Sequence, residues 1–164
     1  MEQSLNMTHW PASVQRVAAA LKEKGVETEI RMLEFSTRTA REAAEAVGCT
    51  LGQIVKSLVF AADDRPFIAL VSGQNRVDLQ KLENLLQARV RQATAAEVKA
   101  ATGYAIGGVP PLGHASQMRV FVDETLLTYD RVWAAAGHPH SVFPVDPAEL
   151  VRACGGQVVD LKED

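Results

Sequence analysis

One lysine sits where a charge is least expected. The run Ile54-Val55-Lys56-Ser57-Leu58-Val59-Phe60 otherwise reads as a strand buried on both faces, so the ammonium of Lys56 needs either a route to solvent or a polar cleft. In the first case it is a lysine near a strand end that snorkels outward. In the second it is a cation able to hold a phosphate, a hydroxyl or a developing oxyanion. Partial burial would also lower its pKa and open a role in proton transfer.

A second candidate is Thr102-Gly103-Tyr104-Ala105-Ile106-Gly107-Gly108-Val109-Pro110-Pro111-Leu112-Gly113. Glycines let a ligand approach the main chain, and paired prolines stiffen the loop and fix where its remaining N–H groups point. Such a loop can present backbone donors to a carbonyl oxygen; it can also be no more than a turn. It lacks the GxxxxGK[ST] pattern of a triphosphate loop. His138-Pro139-His140 has no acidic or Cys partner at ligand spacing, so no metal is expected there. His138, directly after Gly137, reads instead as a pocket residue, and His9 and His114 as surface residues. Ser57, Ser72 and Ser141 lie in no GxSxG elbow, which speaks against a serine hydrolase. Asp123, after Val120-Phe121-Val122, is either a pocket acid or a turn residue.

The elements that must position these residues are legible from periodicity. Residues 1–10 read as a loose leader before one domain over residues 11–164. Val14, Val17, Ala18 and Leu21 form a helical stripe closed by Gly25. Thr28 to Leu33 reads as a strand, and Thr39-Ala40-Arg41-Glu42 as a capping box opening a helix whose inner face is Ala40, Ala43, Ala44 and Val47. Ile54 to Ala61 and Phe67 to Val71 read as interior strands of a hairpin joined through Ala62 to Pro66. Asp78 caps a Leu-rich helix; Arg89 to Gln92 reads as a strand; Thr94 to Glu97 is a second capping box, for a helix ending near Thr102-Gly103. Strands are expected at Arg119 to Asp123, Val132 to Ala136 and Ser141 to Pro144. A helix then runs from Pro147 to Gly155-Gly156, followed by a strand over Gln157 to Leu161. The order mixes hairpins with crossovers, which predicts a mixed sheet in an α/β or α+β domain.

Composition narrows the function classes. The chain has 164 residues, 47% of them apolar and 23% charged, with a net charge of −3. It is long enough to bury a core without staples. No apolar run approaches the roughly 18 to 20 residues of a membrane span and no secretory signal opens the chain, so a cytoplasmic protein is expected. Cys49 and Cys154 stand alone, without CxxC spacing, and read as reduced thiols. No basic stripe exists, which argues against DNA or extended RNA binding. An RNA substrate would be gripped at a terminal nucleotide or two, with a shallow salt dependence.

Taken together, Thr39-Ala40-Arg41-Glu42-Ala43-Ala44, Gln53-Ile54-Val55-Lys56-Ser57-Leu58-Val59-Phe60, Val71-Ser72-Gly73-Gln74-Asn75-Arg76-Val77-Asp78 with Lys81-Leu82, and Thr102 through Gly113 resemble the YbaK-like aminoacyl-tRNA deacylases. These are freestanding relatives of the editing insertion domain of bacterial prolyl-tRNA synthetase. The resemblance spans about Thr39 to Leu150. It implies a strongly curved mixed sheet surrounded by helices, with the aminoacyl 3′ end of tRNA in a central pocket and no cofactor. Lys56 matches the family's essential lysine, and Gly107 and Pro111 match the ends of its GxxxP motif. By this resemblance Lys56, Gly107 and Gly108 are the expected catalytic set, and Ser57, Ser72, Gly73, Val109, Pro111, Asp123, Gly137 and His138 the expected substrate-binding set. The implied substrate is a tRNA, tRNA-Pro or a related one, mischarged with Ala, Ser, Thr or Cys, and an aminoacyl-tRNA synthetase is an implied partner. A synthetase separates such residues by only about 1–3 kcal/mol, which is why a second hydrolytic sieve is useful. Two other readings stay open: a non-catalytic module that binds aminoacyl ends or a synthetase, and a hydrolase of small-molecule esters.

Overall fold

The computed structural model describes residues 9–164. Residues 1–8 of the expected leader lie outside the described residues; Trp10, at its end, is buried in the core. Along the chain run α1 (Ala12–Glu23), β1 (Arg31–Met32), α2 (Ala40–Val47), β2 (Ile54–Ala62), β3 (Arg65–Ser72), α3 (Leu79–Leu86), β4 (Val90–Gln92), α4 (Ala95–Thr102), β5 (Val120–Asp123), β6 (Val132–Ala135), β7 (Ser141–Val145), α5 (Pro147–Cys154) and β8 (Gln157–Val159). Short 3-10 turns precede β2 and follow β5. Among the described residues no helix is long and apolar enough to cross a membrane.

All eight strands join one mixed sheet, in the order β1-β7-β6-β2-β3-β5-β8 with β4 attached to β2. The β2–β3 hairpin is its centre. Asp63 and Asp64, at φ 48° and 67°, make the two-residue turn whose twist suits a hairpin, so both strands run further toward the tip than their apolar runs alone suggest. β6 lies parallel to β2, β5 parallel to β3, and β8 parallel to β5. Such pairs need crossovers, which the helices supply.

Burial on both faces follows from the period of two in β3. Ile68 and Leu70 enter a core with Val14, Val17 and Leu21 of α1 and Leu150 of α5, whereas Phe67, Ala69 and Val71 meet Leu82 of α3, Phe60 and Phe121. A third cluster joins Ala43 and Ala44 of α2 to Ile54, Trp133 and Val142. The capping boxes at Thr39/Glu42 and Thr94/Glu97 form as the sequence predicts, and Asp78 caps α3.

Two strands are shorter than their sequence suggests by more than a single end residue. The expected strand over Thr28 to Leu33 is reduced to Arg31–Met32. Its register on β7 would set residue 29 against Pro144, which has no N–H to donate, and Thr28 Oγ1 instead hydrogen-bonds the Pro144 carbonyl. The closing strand ends at Val159; beyond it the Leu161 carbonyl accepts from Asp78 N, and Lys81 Nζ holds Asp160 at 3.0 Å and the Lys162 carbonyl at 2.7 Å.

Candidate active site

The sheet parts along one edge of β2. On the side away from β3, β6 pairs at Ile54 and Val55, and β4 pairs only from Phe60 onward. Residues 56–59 therefore have no strand beside them there. Ala93 N donates to Val59 O, and this stretch of edge lines a cleft of about 360 Å³. A gap in a ladder leaves main-chain polar groups without strand partners, which is where a ligand can take a strand's place.

Lys56 lies in that gap. Its side chain is half-buried, and Nζ donates to the Asn75 carbonyl at 2.6 Å. Burial lowers its pKa below the ordinary lysine value, with Asp123 acting to raise it and Arg76 to lower it further. Beside it, the Ser57 hydroxyl is buried with no hydrogen-bond partner. An unpartnered buried hydroxyl is uncommon and leaves Ser57 able to bond a water or a ligand in the cleft.

The opposite wall is the Gly/Pro loop. Gly108 N donates to Ala105 O at 3.1 Å, closing a β-turn with Gly107 in its third position at φ 97°, a conformation that favours glycine. The Gly108 amide is thus engaged within the loop. The amides of Gly107 and Val109 find no acceptor among the described residues, and both residues line the cleft. Gly108 serves by its size: a Cβ there would meet the main chain of residues 137 and 138, 2.8 Å from His138 N. Val109, Pro110, Pro111 and Leu112 are buried, which anchors the loop.

Lys56, Ser57, Gly107 and Val109 thus share one cleft; the other expected site residues do not line it. Ser72 and Asp123 are wholly buried. Asp123 accepts from Ser72 N at 3.0 Å, Asn75 Nδ2 at 2.8 Å and Thr125 N at 3.0 Å, and Ser72 Oγ donates to Gly52 O. These bonds shape the 72–75 turn that presents its carbonyl to Lys56, and both residues lie behind the cleft wall. A Cβ on Gly73 would collide with the Leu51 carbonyl, which explains that glycine by packing. Pro111 is buried; Gly137, at φ 99°, packs against Ser13 O. His138 N donates to Ser141 Oγ, and its Nδ1 accepts from His140 N. Burial lowers the pKa of His138, and His140 adds to the effect. His114 is also no ordinary surface residue: its ring bonds the Pro110 carbonyl at 2.7 Å, and burial lowers its pKa.

Asp123→Ala would leave the Ser72 and Thr125 amides without an acceptor and Asn75 Nδ2 with only Thr125 Oγ1. We expect a loss of about 3 kcal/mol in urea denaturation, set by unsatisfied buried N–H groups.

Four residues that sequence reasoning passed over complete the walls: Thr37, Arg38, Ile106 and Trp133. Thr37 is tied by Oγ1 to Pro139 O at 2.8 Å, and Leu33 N to His140 O at 2.7 Å, so the segment before α2 is held against the 138–141 turn. Trp133 is 5% exposed, carries Arg31 over its ring at 4.8 Å and forms an apolar floor with Ile54 and Val142. Among the described residues no group of His, Cys, Asp and Glu could hold a metal ion. Cys49 and Cys154 are both free, with thiol pKa values raised by burial.

This arrangement has counterparts in known proteins. Residues 35–153 match the aminoacyl-tRNA editing domain family. YwhH of Bacillus subtilis, an uncharacterised protein, is 30% identical over 154 residues, 93% of this chain and 98% of that one. EbsC of Enterococcus faecalis, provisionally named a Cys-tRNA(Pro)/Cys-tRNA(Cys) deacylase, is 26% identical over 125 residues, 75% of this chain and 76% of its own. A crystal structure provisionally described as a trans-editing enzyme for prolyl tRNA synthetase superposes with a TM-score of 0.90 at 49% identity, covering 94% of this chain and 99% of that one.

Proposed function

This chain belongs to the aminoacyl-tRNA editing domain family, and from that premise we propose that it is a trans-editing deacylase, hydrolysing the ester between a small amino acid and the 3′ end of tRNA-Pro or a related tRNA. The observation that carries the reading is the cleft in the β2 edge, where Lys56 and the unpartnered Ser57 hydroxyl share a wall system with the free amides of Gly107 and Val109. An aminoacyl ester is already activated, so oriented donors and a positioned water suffice without a nucleophilic triad. The Gly107 and Val109 amides polarise the ester carbonyl. Water adds to the carbonyl carbon, the bond to the ribose oxygen breaks, and a proton passes to that oxygen, giving the free amino acid and the tRNA hydroxyl. Lys56 stabilises charge on the ester and ribose oxygens as it develops. The likeness to proteins named for Cys-tRNA(Pro) deacylation and for prolyl-tRNA synthetase supports a tRNA substrate of this kind.

The test is deacylation of a panel of tRNAs charged with Ala, Ser, Thr or Cys. Turnover of at least one, above the uncatalysed rate, is expected; binding without turnover on every member would replace the enzyme with a binding module. In the same assay Ser57→Ala should lower kcat/KM about tenfold, because its hydroxyl is free to meet the substrate. Its thermal midpoint should hold or rise, since the change removes a buried group that has no partner. A fall in midpoint with unchanged kcat/KM would assign Ser57 to packing.

A further inference from the structure

We propose that Arg38 holds the terminal phosphodiester of the tRNA, leaving Lys56 to the ester; the proposal rests on the deacylase reading. Arg38 lines the cleft, and its guanidinium has no hydrogen-bond or ion-pair partner among the described residues. The side chain lies directly over Gly107: a Cβ built on that glycine would be 2.7 Å from Arg38 Cγ and 3.2 Å from Nε. The cation is therefore held beside the free Gly107 amide, at the rim of the cleft, while Lys56 is half-buried within it and already bonded to Asn75 O. Arg38 also stands on a fixed base, between the Thr37 bonds to Pro139 O and the Thr39 capping box.

The chemistry favours this division. A phosphodiester is anionic and well hydrated, and a planar guanidinium at an exposed rim can bind it through two oxygens without the desolvation a buried ammonium would require. With a net charge of −3 the chain as a whole does not attract phosphate, so the grip falls to individually placed cations. Beside Arg38 on the same rim, Ile106 is 60% exposed, an apolar contact for the base or ribose of the same nucleotide. The rim thus grips one nucleotide, and the amino acid enters toward Trp133.

Two substrates separate the roles. A mischarged tRNA carries the phosphodiester; the matching 3′-aminoacyl-adenosine carries the same ester and ribose without it. Arg38→Ala should reduce kcat/KM on the tRNA about tenfold, mainly through KM, and at most about twofold on the aminoacyl-adenosine. The dependence of log affinity on log salt should become shallower by about 0.7, the value for one phosphate on a single strand. Arg38→Lys should recover part of the loss. Lys56→Ala should fail on both substrates alike. An equal loss on both substrates with Arg38→Ala, or none on the tRNA, overturns the proposal while the deacylase reading stands. A wild-type chain inactive on every tRNA in the panel removes both.

Discussion

Lys56→Ala should fold and lose about 100-fold or more in kcat/KM on mischarged tRNA, the scale of deleting one charged donor from a water-poor site. Its structural cost is small, because the lysine makes one hydrogen bond, to Asn75 O, and the turn bearing that carbonyl is held independently by Asp123. We expect about 1 kcal/mol of stability lost, read in urea, so that activity and stability separate clearly. Activity unchanged at that position would remove the charge from the mechanism. The pH profile carries the same test. Burial lowers the Lys56 pKa, so activity that needs the ammonium declines on the alkaline side below the ordinary lysine value of about 10.4, once uncatalysed hydrolysis is subtracted. The unfolded chain keeps that proton to higher pH than the folded one. Over the interval between the two pKa values, unfolding takes up a proton and this residue's contribution to stability rises with pH. Activity and stability then move in opposite directions, which a general alkaline unfolding would not produce.

The second large effect comes from a residue with no side chain. Gly108→Ala places a Cβ against the main chain at Gly137 and His138, atoms that cannot swing aside, so the loop carrying the Gly107 and Val109 amides must shift. We expect about 1–3 kcal/mol of lost stability and about 100-fold lower kcat/KM, since a displacement of about 1 Å removes donors from the carbonyl oxygen. Gly155→Ala is the matched control. That glycine caps α5 at φ 65°, and a Cβ there meets nothing within 4 Å. It should cost about 1 kcal/mol through backbone strain alone and leave kcat/KM untouched. Equal activities for the two variants would deny the loop its part in the reaction.

Much of this molecule could be read before its structure, because the relevant forces are local. Thr39, Asp78 and Thr94 announce helix starts through bonds within four residues, and the 54–71 hairpin shows itself by apolar runs around two aspartates. Lys56 stood out because a cation in an apolar strand demands an explanation. Arg38 gave no such signal. An arginine in a polar segment is unremarkable until Gly107, 69 positions later, folds beneath it. Asp123 could be a pocket acid or a turn residue on sequence grounds; only its three donors, drawn from residues 72, 75 and 125, show that it shapes the turn beneath Lys56. The same distance hid the state of the Gly108 amide, which depends on how the loop closes on Ala105.

The break in the β2 edge also bears on how the enzyme comes into being. One of its two flanking strands lies far along the chain: β6 joins β2 through Val55 and Ala134, and Val142 of the following β7 also lines the cleft. Closing so long a segment is entropically costly and late, whereas the tight β2–β3 hairpin can form early. An emerging polypeptide thus owns its lysine long before it owns a chamber around it. Until the final third has been synthesised and docked, the wall built from Trp133, Ala134 and Val142 is absent, and a half-made chain lacks the chamber that the proposed deacylation requires.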